Sequence, residues 1–151
     1  MFLPYLADER GEYGAAGGAW AALTLAHQRD DLLRAALEGV AYLLRAKLGD
    51  LRELGCAPEK VMLAGGGGEH PAWRRLLAEV LAVPLFPARA GALTARGAVR
   101  LAAAAAGLLT ETENQDRSAS IVENPVVADG SARAEAGYDR FRSVRACTRT
   151  G

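Results

Sequence analysis

Four consecutive glycines, Gly65 to Gly68, stand between the apolar run Val61-Met62-Leu63-Ala64 and the helix-like stretch His70 to Val83. No long helix or strand holds four adjacent residues without a Cβ at low cost, so the chain breaks here, and its flanks make the break a strand, tight turn, helix unit. Such a junction leaves backbone N–H groups at the positive end of a helix and clears the turn of side chains. A flat or anionic ligand, a nucleotide above all, can then approach the main chain closely. The same glycines equally allow a bare tight reversal with no ligand, and from this run alone both readings stand.

The two common phosphate fingerprints each make a demand that this run fails. A P-loop needs Lys and then Ser or Thr after its last glycine, but Glu69 and His70 follow here, so neither a phosphate-reaching ammonium nor a magnesium-binding hydroxyl is supplied. Counted from Gly65, the dinucleotide pattern G-x-G-x-x-G puts His70 where the third glycine must let the helix pack on its strand, and no ribose-binding acid is evident after the strand. The turn lacks a phosphate clamp of its own.

A chain of 151 residues, 50% apolar and 24% charged, is the size and composition of one globular domain with a real core, and its order of loop, helix, strand, helix, strand, helix and tail indicates an α/β architecture with parallel strands. Eighteen basic and eighteen acidic side chains cancel, and no basic stripe interleaves with aromatics, so neither nucleic acid nor an anionic membrane surface is an expected partner. Apolar runs such as Ala102 to Ala106 fall short of the roughly 20 residues that span a bilayer, and the N-terminus lacks a signal pattern. A cytoplasmic location is expected. Cys56 and Cys147 read as thiols outside any disulfide framework or metal cluster.

Residues 1–28 are rich in Gly, Pro and aromatics and read as a loop-rich entry with short extended pieces; residues 29–109 form a helix-strand-helix-strand-helix core; residues 110–151 form a loop and a terminal helix. From Asp30 to Leu54, Leu33, Leu37, Val40, Leu44, Leu48 and Leu51 recur at helical steps with charges between them, and Gly55 with Pro58 supplies the stop. Gly39 in the middle implies that another backbone packs tightly there, because an unneeded helical glycine costs about 1 kcal/mol. Lys60 to Ala64 reads as a strand covered on both faces. Pro71 suits a first helical turn, and Trp73, Leu76, Leu77, Val80 and Leu81 form the following apolar stripe. Trp73 is read as core rather than as a stacking platform. Pro84 to Ala88 is a second strand, limited to an edge or start position by its prolines; Thr94 to Gly107 is a small-residue helix suited to close packing. Thr110 to Ser120 is a surface loop, Ile121 to Val127 is extended, and Ser131 caps a last helix carrying Tyr138, Phe141 and Val144 that frays from Cys147. Two strands for three or four helices leave the layer short of strands.

Several blocks resemble the late part of the FGGY carbohydrate kinases, xylulokinases most of all. They are Phe2-Leu3-Pro4-Tyr5-Leu6 with Glu9-Arg10; Leu23-Thr24-Leu25 and His27; Arg34 through Ala41; Leu63-Ala64 with Gly65 to Gly68 and Pro71-Ala72-Trp73; Arg96-Gly97-Ala98; and Tyr138-Asp139-Arg140-Phe141. The resemblance covers nearly the whole chain and implies an incomplete second, C-terminal domain of the actin, Hsp70 and hexokinase-like (ribonuclease H-like) fold, its helices packed on a short parallel sheet. ATP then binds in a cleft between two domains, and the glycine run lies against its adenosine part, which assigns Gly66, Gly67, Gly68 and His70 to the cofactor. The family usually has Ala at the place of Gly68 and a small polar residue at that of His70. Its Gly-Glu-Arg-Thr-Pro reads Asp8-Glu9-Arg10-Gly11-Glu12 here, and its Gln-x-x-Ala-Asp reads Arg75-Leu76-Leu77-Ala78-Glu79.

Phosphoryl transfer also needs magnesium, phosphate-holding groups and a carboxylate base near the sugar hydroxyl. The family places its phosphate motifs, sugar-binding residues and catalytic aspartate ahead of the position of Met1, so the resemblance implies no catalytic residue and no magnesium ligand in this chain. Asp8, Glu9 and Glu12 read as solvated loop carboxylates. The function implied is the ATP-binding portion of a kinase for a pentulose such as xylulose or a related polyol, inactive alone, with sugar engaged only alongside the N-terminal part. A non-catalytic remnant or nucleotide-binding module is the alternative. Unpaired strands and an apolar face on the long helix further imply self-association or a homodimer.

Overall fold

The computed structural model describes residues 1–6, 17–88, 93–108 and 124–149. The first two strands, β1 (Phe2–Leu3) and β2 (Ala19–Trp20), pair antiparallel, with Phe2 opposite Trp20 and their ring centroids 4.5 Å apart. Helix α1 (Arg29–Glu53) follows, within a residue of the predicted span at each end. Its N-terminus is fixed where the Gln28 N–H donates to the Asp31 carboxylate at 2.9 Å, and its C-terminus where Gly55 turns to φ +83°, the left-handed region that favours glycine.

The packed face of α1 is not the leucine stripe. Gly39, Ala41, Tyr42 and Ala46 are buried, while Leu33, Leu37, Val40, Leu44 and Leu51 are exposed. Burial follows backbone proximity: the β1 main chain crosses Gly39 so closely that an added Cβ would collide with the Phe2 carbonyl. Larger side chains on this face would hold β1 away. The apolar stripe, apart from Leu48, which packs on the core, therefore marks the outer surface of α1.

Strands β3 (Val61–Leu63) and β4 (Leu85–Pro87) pair in parallel, joined through helix α2 (Pro71–Leu81), with Val61 opposite Leu85 and Leu63 opposite Pro87. The Val61 N–H donates to the Pro84 carbonyl at 3.0 Å and the Ala88 N–H to the Leu63 carbonyl at 2.8 Å. Two expectations need correction. Met62 is 46% exposed, so β3 is covered on one face, and its short apolar run alternates inward and outward. Of the two places the prolines allowed β4, the edge does not hold along its whole length, because Leu85 also exchanges both backbone bonds with Val126, at 3.1 and 2.8 Å. Pro84 and Pro87 bracket that bridge, leaving the Leu85 N–H available to make it.

Helix α3 (Leu93–Ala105) does not pack closely as its small residues suggested: Val99 and Leu101 are 67% and 69% exposed. Helix α4 (Ala132–Arg149) begins where the Ser131 hydroxyl accepts the Ala134 N–H at 3.1 Å, and it stays helical through Arg149 rather than fraying from Cys147. Phe141 is fully buried beside Tyr42, at 5.7 Å between centroids. Arg45 ties three helices together: it reaches the Val80 carbonyl on α2 at 3.2 Å, the Glu135 carboxylate on α4 at 2.8 Å, and the face of Tyr138. Ser131 also hydrogen-bonds Glu79. The core thus lies between α1, α2 and α4, with β1 and β4 at its margin.

Candidate functional site

The glycine run divides by role. β3 ends at Leu63, Gly65 takes φ +89°, and the Gly68 N–H donates back to the Gly65 carbonyl at 2.9 Å, closing a single 3-10 turn over Gly66–Glu69. Pro71 then opens α2 at a position where its missing N–H is not needed. Gly68 is buried, and a Cβ there would lie 3.0 Å from the Leu63 Cγ; its carbonyl accepts a hydrogen bond from Arg74. Gly66 and Gly67 are exposed, and a Cβ on either would meet nothing within 4 Å. Gly65 and Gly68 shape the reversal, whereas Gly66 and Gly67 present bare main chain outward.

That bare main chain borders an open crevice of about 740 Å³. Gly66, Gly67 and His70 line its base, Trp73, Arg75 and Leu76 project from α2, and Arg34 and Leu37 form the wall contributed by α1. Of the four residues the sequence singled out, Gly66, Gly67 and His70 come together here, and Gly68 sits beneath them. Trp73 is half-buried, packs on the core and also borders the crevice.

The α1 wall was not found from the sequence. Arg34 and Leu37 precede the glycine run by about thirty positions, and only the placement of Leu37 on an apolar stripe hinted at an exposed surface. The Arg34 Nε–H donates to the Glu38 Oε1 at 2.7 Å, and this bond, opposed by partial desolvation, raises the guanidinium above its ordinary range. Glu38 is also 3.6 Å from Arg133 on α4. The side is a permanent cation held in place by one carboxylate. Among the described residues no group of three His, Cys, Asp or Glu side chains gathers to hold a metal ion, and no helix is long and apolar enough to cross a membrane. Asp8, Glu9 and Glu12 lie outside the described residues.

A parallel β3-α2-β4 unit, a glycine turn at the carboxyl end of its first strand and a long helix bordering the turn define an α/β protein whose structural matches are actin- and hexokinase-like sugar kinases. The chain belongs to the FGGY family of carbohydrate kinases, whose C-terminal domain model matches residues 1–106. It is 39% identical over 108 residues to xylulose kinase of Escherichia coli (strain K12), a match covering 70% of this chain and 22% of that protein. The crystal structure of xylulose kinase from Rhodospirillum rubrum superposes with a TM-score of 0.79 at 26% identity, over 97% of this chain and 30% of the other. Gluconate kinase from Lactobacillus acidophilus shares the fold at 24% identity and a TM-score of 0.75. The chain therefore spans about a fifth of the length of the Escherichia coli relative.

Proposed function

We propose that this chain forms the adenosine-side wall of an ATP cleft in a carbohydrate kinase that phosphorylates a pentulose such as xylulose or a related polyol. The crevice at Gly66 and Gly67 carries this reading. Its volume of about 740 Å³ falls within the size of small-ligand sites, and the absence of any atom within 4 Å of a Cβ on either glycine leaves room for a flat ring to lie on the main chain. Leu37, Trp73 and Leu76 offer apolar contact to that ring, while Arg34 and Arg75 supply cationic hydrogen-bond donors. His70 contributes a ring at the mouth of α2. Gly68 acts from below by fixing the turn.

Bound ATP supplies the transferable γ-phosphoryl group. This chain's own residues bind and orient the nucleoside and shield one side of it from water. Magnesium belongs to the proposal as the ion that accompanies the triphosphate, with its ligands, as the family resemblance implies, outside this chain. The chain alone is accordingly inactive as a sugar kinase, and its exposed α1 stripe drives self-association. Titrating the isotope-labelled chain with a non-hydrolysable ATP analogue should give saturable shifts of the Gly66 and Gly67 amides at millimolar ligand. Unmoved amides would refute the nucleoside site. Formation of xylulose phosphate from radiolabelled ATP by the purified chain would refute the claim of inactivity.

A further inference from the structure

A second depression, of about 220 Å³, shares Arg34 with the crevice and lies between α1, α4 and the turn before α1. Arg133 and Arg140 project into it one α4 face apart, seven residues or two helical turns, and Arg34 closes its inner end. Two carboxylates border it, and both are engaged. Asp31 accepts the Gln28 N–H at 2.9 Å, and Glu38 is held by Arg34 at 2.7 Å with Arg133 at 3.6 Å. Among the described residues Arg140 has no ion pair, so the basin keeps a surplus of positive charge.

Two neutral donors add to it. The Tyr42 side chain lines the basin although the residue is only 5% exposed, and its hydroxyl stands against Gly137, which also lines the basin. The hydroxyl reaches the basin and is a donor available to a ligand there. His27 accepts the Thr24 backbone N–H on Nδ1 at 3.0 Å, which places the proton of the neutral ring on Nε2. Burial holds the Tyr42 phenol above its ordinary range, so it stays a donor.

We propose that this basin binds a small tetrahedral oxyanion of the phosphate class, as inorganic phosphate or as the phosphate end of a monoester. Arg133 and Arg140 supply the charge, Tyr42 and His27 supply O–H and N–H donors, and Arg34 closes the inner wall. Asp31 keeps its negative charge, since a backbone N–H does not neutralise it, but the three guanidinium groups outnumber the two carboxylates of the lining. The assignment does not rest on the ATP reading, since it uses a different cavity and shares only Arg34 with it.

The test is a titration of the full chain with inorganic phosphate at ionic strength held constant with chloride, following the arginine side-chain and Tyr42 signals by NMR. Saturation in the millimolar range is expected, with affinity reduced about tenfold in the Arg133→Gln/Arg140→Gln double variant, a loss of about 1.4 kcal/mol. Tyr42→Phe should weaken binding severalfold, and Arg142→Gln, outside the basin, should leave it unchanged, with urea midpoints confirming that each variant is folded. Tighter binding of glycerol phosphate than of inorganic phosphate identifies a monoester ligand; equal or weaker binding identifies the free ion. A response that chloride reproduces, that fails to saturate, or that survives in the double variant would overturn the site, whatever the ATP analogue does at Gly66 and Gly67.

Discussion

Each glycine of the quartet is replaceable at a different cost, and the costs separate shape from binding. Gly65 sits at φ +89° and ψ 171°, the extended positive-φ region that is essentially closed to residues with a Cβ, so Gly65→Ala is expected to lower stability by about 1–3 kcal/mol. Gly67 has no such backbone constraint and open space beside it, so Gly67→Ala should leave the urea midpoint within about 0.5 kcal/mol of the parent while weakening the ATP analogue, because a methyl then stands where the ring lies. Equal analogue affinity for the two proteins would remove Gly67 from the proposed site. Gly39 is the third case. Its Cβ would fall against the Phe2 backbone, which cannot swing aside as a side-chain tip can, so Gly39→Ala is expected to destabilise by about 1–2 kcal/mol despite a gain in helix propensity. A chemical melt in which this variant is no less stable than the parent would show that β1 does not hold its place against α1.

At the scale of elements, the helices and both parallel strands were legible because each carries its own punctuation: Gly55 after α1, Pro71 at the start of α2, Ser131 before α4. The faces were less legible. The leucine stripe of α1 has the correct period, yet Gly39, Ala41 and Ala46 are the buried positions, since what settles the face is how near β1 and the neighbouring helices can approach. Likewise the glycine turn was visible as a break between strand and helix, but the crevice wall at Arg34 and Leu37 depends on a long-range packing of α1 against α2 that no local pattern encodes. That packing has a cap and a pin that can be removed separately. Ser131→Ala should cost about 1 kcal/mol through the lost N-cap, and Arg45→Met about 1–3 kcal/mol, since it leaves the Val80 carbonyl and the Glu135 carboxylate without their donor. Alkaline pH probes the same junction. Burial raises the Tyr42 and Tyr138 phenols above their ordinary value, so the stability they contribute is complete below about pH 10 and is lost as pH rises through their native values. A double Tyr→Phe variant at these positions should show a shallower decline in urea midpoint above that pH; an unaltered slope would place the alkaline sensitivity elsewhere.

The whole molecule presents an apolar surface that its own described residues do not cover. Leu33, Leu37, Val40 and Leu44 form one exposed row over three turns of α1, and Met62 adds an uncovered position on β3. Each turn advances about 5.4 Å, so the row is roughly 16 Å long, enough to make a continuous contact rather than scattered exposed side chains. The chain has no net charge at pH 7 to oppose association. Sedimentation should therefore show a weight-average mass above that of a monomer, rising with protein concentration and nearly insensitive to salt, as apolar contact is. Leu44→Glu, which places a charge in the middle of the row and lies outside the crevice, is the discriminating variant. It should return the chain to a monomer while leaving the urea midpoint close to the parent's, because Leu44 is already 43% exposed and adds little to the core. An associated Leu44→Glu protein would move the contact to β3 and its open edge, where Met62→Lys should then be the change that dissolves it. A parent chain that stays monomeric across the whole concentration range would refute self-association through either surface.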